Sequence, residues 1–158
     1  MDRVMGVCAT PKAVRVAVLN FNNGQATFEN ANNAHLHRLQ FPKDTTARQD
    51  MLNWYYKELD TIASKFPGIV SVGIKIPEFG VRPAMDDDSK RCRNHLDGVT
   101  MLWAAQHSVA SSTLLFNQLG CNSKSVEEWA EQRTGKTTTL WDLAMASAAA
   151  AGWQVGQS

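Results

Sequence analysis

Two β-prone runs lie close together near the start of the chain. The first is Val4-Met5-Gly6-Val7-Cys8 and the second is Ala13-Val14-Arg15-Val16-Ala17-Val18-Leu19, separated by Ala9-Thr10-Pro11-Lys12. Both runs are mostly apolar, and Arg15 is the one charge in the second, a pattern typical of core strands. The opening of the chain therefore predicts a hairpin of two buried strands.

The rest of the chain carries alternating helix and strand signals. A third strand is expected within residues 25–39, broken or bulged by the asparagines in its middle. Apolar periodicity predicts helices over residues 51–66, 89–106, 125–132 and 138–151, and strands over residues 69–76 and 112–116. Expected caps are Asp44-Thr45-Thr46 for the first helix, Thr137 or Thr138 for the last, and Gly152 as its end.

The predicted order is β-β-β-α-β-α-β-α with one extra helix at the end. Strands reached through a helix run parallel to the strand before them, with a right-handed crossover. The fold class expected is α/β, a mixed five-stranded sheet flanked by helices, in a single domain over residues 1–158.

Composition narrows the function classes. The 158 residues include 16 Lys and Arg against 15 Asp and Glu, a net charge of +1. This balance excludes a strongly basic nucleic-acid arm and an acidic solvating protein. No apolar run is long enough for a membrane span, and no signal-peptide core follows Met1-Asp2-Arg3. Cys8, Cys92 and Cys121 are odd in number and widely spaced, so we expect reduced thiols in a cytoplasmic protein.

The order of elements resembles that of the ribonuclease H-like superfamily, and most closely its Holliday-junction resolvase (RuvC-like) branch. Small uncharacterised relatives that lack the catalytic acids are also similar. The resemblance lies in the first hairpin over residues 4–19, in Val72-Gly73-Ile74-Lys75 as the fourth strand, and in Trp141-Asp142-Leu143-Ala144-Met145-Ala146 as the terminal helix.

The resemblance implies a phosphodiester-cutting site in which carboxylates at the strand ends hold two divalent metals. The first acid belongs on strand one, where this chain has Cys8 and Thr10 and no carboxylate. The second aligns with Lys75, three residues before Glu78, and only Asp142 fits the terminal helix. We therefore expect no two-metal site and no cofactor.

A second alignment of the C-terminal part is open. Lys124-Ser125-Val126, with Gly135-Lys136 further on, also resembles the segment that precedes the acidic helix of the resolvases. On that alignment residues 140–151 form an earlier helix and the acidic helix is absent. Both alignments leave the acid set incomplete.

A basic segment follows the fourth predicted strand, at the sheet edge where open α/β sheets bind ligands. It predicts contacts with phosphate or another anion, and a charged, solvated helix start is the alternative. The candidate anion-binding residues are Lys75, Arg82, Lys90, Arg91, Arg93 and His95. Asp86-Asp87-Asp88 reads as a loop that caps the next helix, and the four histidines show no metal spacing.

The last predicted helix is rich in alanine and carries Trp141, with Trp153 twelve residues further on. Small residues allow close approach and aromatic residues anchor interfaces, so a homodimer through this helix is one hypothesis. Packing on the sheet of the same chain is the alternative.

The sequence predicts a non-catalytic ribonuclease H-like binding module, associated with nucleic acid by analogy of fold. One alternative is a divergent nuclease that uses Glu78, Asp142 and Asp97, or one of the acids at 86–88, with Mg²⁺ as its cofactor. The other is a structural homo-oligomer. The partner itself is not specified by the sequence.

Overall fold

A computed structural model describes residues 2–78 and 87–157. The strands are β1 (Asp2–Ala9), β2 (Ala13–Asn22), β3 (Gln25–Phe28), β4 (Arg38–Gln40), β5 (Ile69–Lys75) and β6 (Ala110–Leu114). The helices are α1 (Ala34–His37), α2 (Arg48–Lys65), α3 (Asp87–Gln106), α4 (Phe116–Leu119), α5 (Val126–Thr134) and α6 (Leu143–Gly156).

The sheet is mixed, and its strand order is β3-β2-β1-β5-β6. β1 and β2 pair antiparallel, whereas β5 runs parallel to β1 and β6 parallel to β5. This arrangement confirms the expected meander followed by two helix-connected parallel strands. Among the described residues, no helix is long and apolar enough to cross a bilayer.

The sheet has a sixth strand because the broken third strand becomes two pieces along β2. β3 pairs with the far end of β2 and β4 with its beginning. Between them the buried side chain of Asn30 completes the pairing: its Oδ1 accepts from the Val18 N–H at 2.9 Å, and its Nδ2 donates to the Val16 carbonyl at 2.9 Å. The side-chain amide of Asn30 thus makes the hydrogen bonds to β2 that the backbone of a paired strand would otherwise make.

Successive side chains of β1 point to opposite faces of the sheet. Met5 and Val7 face α2 and α3, where Tyr55 and Trp103 are fully covered. Cys8 faces the opposite side, which α5 and α6 cover. This two-sided burial explains why residues 4–9 of β1 are all buried and include no charged side chain.

Several expected helix ends were wrong. No side chain caps α2, which begins after Ala47, and α4 was not predicted. The last helix begins at Leu143 because Asp142, not Thr137 or Thr138, caps it by accepting from the Met145 N–H. Gly152 does not end that helix; it lies inside α6, where its small size lets the helix approach β1.

The alanine-rich face of α6 is covered by the sheet of the same chain. Residues 145–152 are all buried. The homodimer through this helix stays a prediction, but the alanine face that suggested it is already used internally. Trp153 is likewise engaged within the chain, because its ring meets that of Trp129 edge to face at 5.4 Å.

Candidate functional site

A cavity of about 510 Å³ opens where β1 and β5 end at their carboxyl termini. We call it the carboxyl-edge cavity. The cavity thus lies at the carboxyl edge of the sheet, the edge at which open α/β sheets bind ligands. Its polar and aromatic lining includes Cys8, Thr10, Lys75, Glu78, Arg93, Phe116, Asp142 and Ser147.

Two strand-end residues form the floor of the cavity. Cys8 on β1 and Lys75 on β5 are direct partners in the parallel register. Both are buried, and burial raises the pKa of the Cys8 thiol, so the group is neutral at physiological pH. A neutral thiol and an ammonium therefore occupy the positions that the resemblance assigns to two metal-binding acids.

Three neighbours hold the ammonium group of Lys75 in place. The Nζ atom donates to the Ile76 carbonyl at 2.6 Å, lies 3.3 Å from a Glu78 carboxylate oxygen, and sits 4.0 Å above the Phe116 ring. The same Glu78 oxygen also accepts from the Phe116 N–H at 2.6 Å. Glu78 thus lines the cavity, but its carboxylate is paired with a cation and a backbone amide.

Asp142 is held in a similar way on the other wall. One oxygen lies 3.1 Å from Arg15 Nη2, and the other accepts from the Met145 N–H at 2.9 Å as the cap of α6. Arg15 also donates to the Thr10 hydroxyl at 3.2 Å, which connects the ion pair to the turn after β1. The predicted acid is therefore both an ion-pair partner and a helix cap.

Arg93 and Asp97 lie one turn apart on α3. The Arg93 guanidinium lines the cavity, 3.9 Å from the Cys8 sulfur, and its buried Nε has no hydrogen-bond partner among the described residues. Asp97 is 4% exposed, and burial raises its pKa to about 7, against the opposing effect of Arg93 and Lys75. Its Oδ1 likewise has no partner in the described part of the chain.

These residues do not fit a pair of divalent ions. Hard cations such as Mg²⁺ need several free oxygen ligands. Within residues 2–78 and 87–157, no group of three or more His, Cys, Asp or Glu side chains is placed to hold a metal. The two carboxylates at the cavity instead face Lys75 and Arg15, which neutralise them.

The basic segment divides between several environments. Of its predicted residues, Lys75 and Arg93 line the cavity. Lys90 pairs with Asp87 at 3.7 Å, Arg91 is exposed, and His95 contacts Arg48 at 3.1 Å in a groove between α2 and α3. Arg82 and Asp86 lie outside the described residues.

Sequence reasoning missed two parts of the site. Arg15 was noted only as a lone charge in a strand, although a buried charge in an otherwise apolar strand signals a partner across the fold. The start of α6, where Leu143 and Ala144 line the cavity, was missed because the helix was expected to begin earlier.

Comparison with known proteins relates this geometry to a known fold. No protein-family model matches the chain, and no curated protein matches its sequence significantly. Thermus thermophilus RuvC in complex with a Holliday junction substrate aligns with a TM-score of 0.74 and 12% identity, over 98% of this chain and 92% of that one. A second Thermus thermophilus RuvC structure gives a TM-score of 0.73, 12% identity, and coverage of 96% and 92%.

A more distant likeness agrees with these two. The yeast mitochondrial Holliday junction resolvase Ydc2 aligns with a TM-score of 0.57 and 14% identity, over 97% of this chain and 79% of that one. Identities of this size speak for the fold and leave the activity open. The chain has the ribonuclease H-like fold in its RuvC-type form.

Proposed function

We propose that the chain is a non-catalytic nucleic-acid-binding module whose carboxyl-edge cavity contacts phosphate groups. The observation that carries the proposal is the buried ammonium of Lys75 at the end of β5. An ammonium attracts a phosphate oxygen directly, whereas strand-end carboxylates need a divalent ion between themselves and the phosphate.

The charges around the cavity support this choice of ligand. Lys75 and Arg15 each face one carboxylate, which leaves the Arg93 guanidinium as a further cation at the same opening. The whole chain carries a net charge of only +1, so attraction for nucleic acid has to be local. The RuvC structure of similar fold was solved with a Holliday junction substrate, which supports nucleic acid as the class of partner.

Fluorescence anisotropy with labelled four-way junction, duplex, and single-stranded DNA and RNA tests the proposal. We expect binding in EDTA to at least one of these, with no cleavage after Mg²⁺ or Mn²⁺ is added. Arg93→Gln should weaken binding and lower the slope of log affinity against log salt by about 1. Lys57→Gln, which removes an exposed charge on α2, is the matched control. Absence of binding to every probe would contradict the proposal.

A divergent nuclease is the second candidate, because Glu78 and Asp142 line the same cavity. It requires both carboxylates to exchange their cations for metal, with Asp97 as a third ligand. Thermal unfolding with and without millimolar Mn²⁺, run beside a cleavage assay, separates the two candidates. A metal-dependent rise in the unfolding midpoint, with cleavage that Asp142→Asn abolishes, would establish the nuclease instead.

The cellular setting proposed for this module is the cytoplasm. Cys8, Cys92 and Cys121 are all unpaired, as a reducing compartment would keep them. Fractionation of cells that express the tagged chain tests this proposal, and recovery in an oxidising compartment would contradict it.

A further inference from the structure

We propose that the carboxyl-edge cavity holds one phosphate group directly between Lys75, Arg93 and the start of α6, with no divalent ion. This inference rests on the proposed function and specifies the part of the nucleic acid that is recognised. The mismatch between the cavity and a two-metal site is its starting point: an ammonium and a neutral thiol stand where the resemblance places metal-binding acids.

The Arg93 guanidinium has hydrogen-bonding capacity that residues 2–78 and 87–157 leave unused. Among the described residues, no carboxylate oxygen lies within 4.0 Å of its guanidinium nitrogens. Its Nε is buried without a partner, and its one hydrogen bond in the described part of the chain is the long one to the Cys8 sulfur. A planar guanidinium with free donors suits two oxygens of one phosphate.

Lys75 supplies the second positive charge. An ammonium has three N–H donors, and the two acceptors seen here are the Ile76 carbonyl and Glu78. One donor remains. Because the ammonium is 3% exposed, its attraction for an anion in the cavity is weakly screened by solvent.

The start of α6 adds backbone donors at the same place. Leu143 and Ala144 line the cavity as the first residues of a 14-residue helix. Their N–H groups have no acceptor within the helix, and the N-terminal end of the helix dipole favours an anion. Asp142 caps the helix through the Met145 N–H, which leaves those two earlier N–H groups outside the cap.

When ionised, Asp97 competes with a bound phosphate for the positive charges of Lys75 and Arg93. It faces Arg93 on its own helix, Lys75 on β5, the neutral Cys8 thiol on β1 and the Tyr55 hydroxyl on α2. When Asp97 loses its proton, its negative charge offsets the two cations that would hold the phosphate. Anion affinity should therefore rise as pH falls through about 7, the pKa of Asp97.

Amide NMR titration with inorganic phosphate in EDTA, at constant ionic strength, tests the subsite. We expect saturable shifts of the Leu143 and Ala144 amides. Arg93→Gln should weaken phosphate binding about tenfold, the loss of one charge-assisted hydrogen bond, while Lys57→Gln leaves it unchanged. The amide spectrum of each variant reports whether it is folded.

The pH dependence of anion binding is measured with sulfate, because sulfate does not titrate between pH 6 and 8. We expect tighter sulfate binding at pH 6 than at pH 8 in the parent chain. In Asp97→Asn the affinity should be high and equal at both pH values, a gain that misfolding cannot produce.

Three results would overturn the subsite: no saturable shift at the start of α6, an equal loss in the Arg93 and Lys57 variants, or a requirement for Mg²⁺. If nucleic acid still binds in EDTA while phosphate shifts are absent, the subsite fails and the proposed function stands. If neither binds, both fail.

Discussion

Asp97 is a carboxyl group that α3 carries into the interior beside the cavity. Burial raises its pKa to about 7, whereas the unfolded chain releases that proton near pH 3.8, the ordinary value for an aspartate. Between these values the folded state binds more protons than the unfolded state, so the stability of the fold decreases as pH rises from about 4 to 7.

Asp97→Asn should therefore stabilise the protein in a pH-dependent way. At pH 8 the substitution removes a buried charge, and we expect a gain on the order of 2 kcal/mol in the free energy of unfolding. At pH 5 the folded carboxyl is neutral but the unfolded one is ionised, so a smaller gain should remain, and it should vanish only below about pH 4. Urea unfolding at both pH values measures the difference; an equal effect at both would contradict it.

His37 has the opposite dependence on pH. It is fully buried, and burial together with the Arg15 charge lowers the pKa of the imidazole, whereas Asp142 opposes the shift. Neither ring nitrogen has a hydrogen-bond partner among the described residues. The unfolded state takes up a proton at a higher pH than the folded state does, so stability is lost as pH falls below about 6.5.

His37→Leu should make the stability of the fold less dependent on pH in the acid range. The replacement is apolar and of similar size, so it removes the titrating group with little cost in packing. We expect the thermal midpoint to change less between pH 7 and pH 5 in the variant than in the parent chain. If the midpoint of the variant changes as much as that of the parent chain, another group is responsible for the acid sensitivity.

At the scale of elements, the close contact between α6 and the sheet is the main determinant of the cavity's shape. A Cβ atom on Gly6 of β1 would lie 1.8 Å from the Ala148 carbonyl oxygen, and one on Gly73 of β5 would lie 2.4 Å from that of Ala151. Backbone therefore packs directly on backbone, and this contact positions the start of α6 at the strand ends.

Gly6→Ala should force α6 away from the sheet. Because the contact is with backbone rather than a flexible side chain, we expect a loss of about 3 kcal/mol or more in the free energy of unfolding. Gly98→Ala is the matched control: Gly98 lies within α3, and nothing lies within 4 Å of the added Cβ. The control should stabilise the protein by about 0.5–1 kcal/mol. A Gly6 loss below 1 kcal/mol would contradict this packing.

Element order was predictable from sequence, whereas some boundaries were not. Apolar runs and periodicity are local signals, and they correctly placed the hairpin, β5 and the long helices. The split third strand and the start of α6 depend on the Asn30 side chain and on the Asp142 cap. Both are specific hydrogen bonds whose geometry periodicity does not encode.

At the scale of the whole molecule, the site also combines local features, which were predictable from sequence, with long-range contacts, which were not. Lys75 was placed at the cavity from sequence because the end of a strand is a local feature. The Arg15–Asp142 pair joins residues 127 positions apart, so only the assembled fold brings it together. In the described part of the chain a cation lies beside each of the two cavity carboxylates, Glu78 and Asp142, and this supports the proposed direct contact with phosphate over metal-dependent cleavage.

The affinity of the chain for a labelled four-way DNA junction, measured in EDTA and again in Mg²⁺ with the integrity of the strands followed in the same samples, tests the central claim most directly. The account predicts binding in EDTA that Mg²⁺ does not strengthen beyond its ordinary screening of phosphate charge, and strands that stay intact. Binding that requires Mg²⁺, together with cut strands, would contradict it.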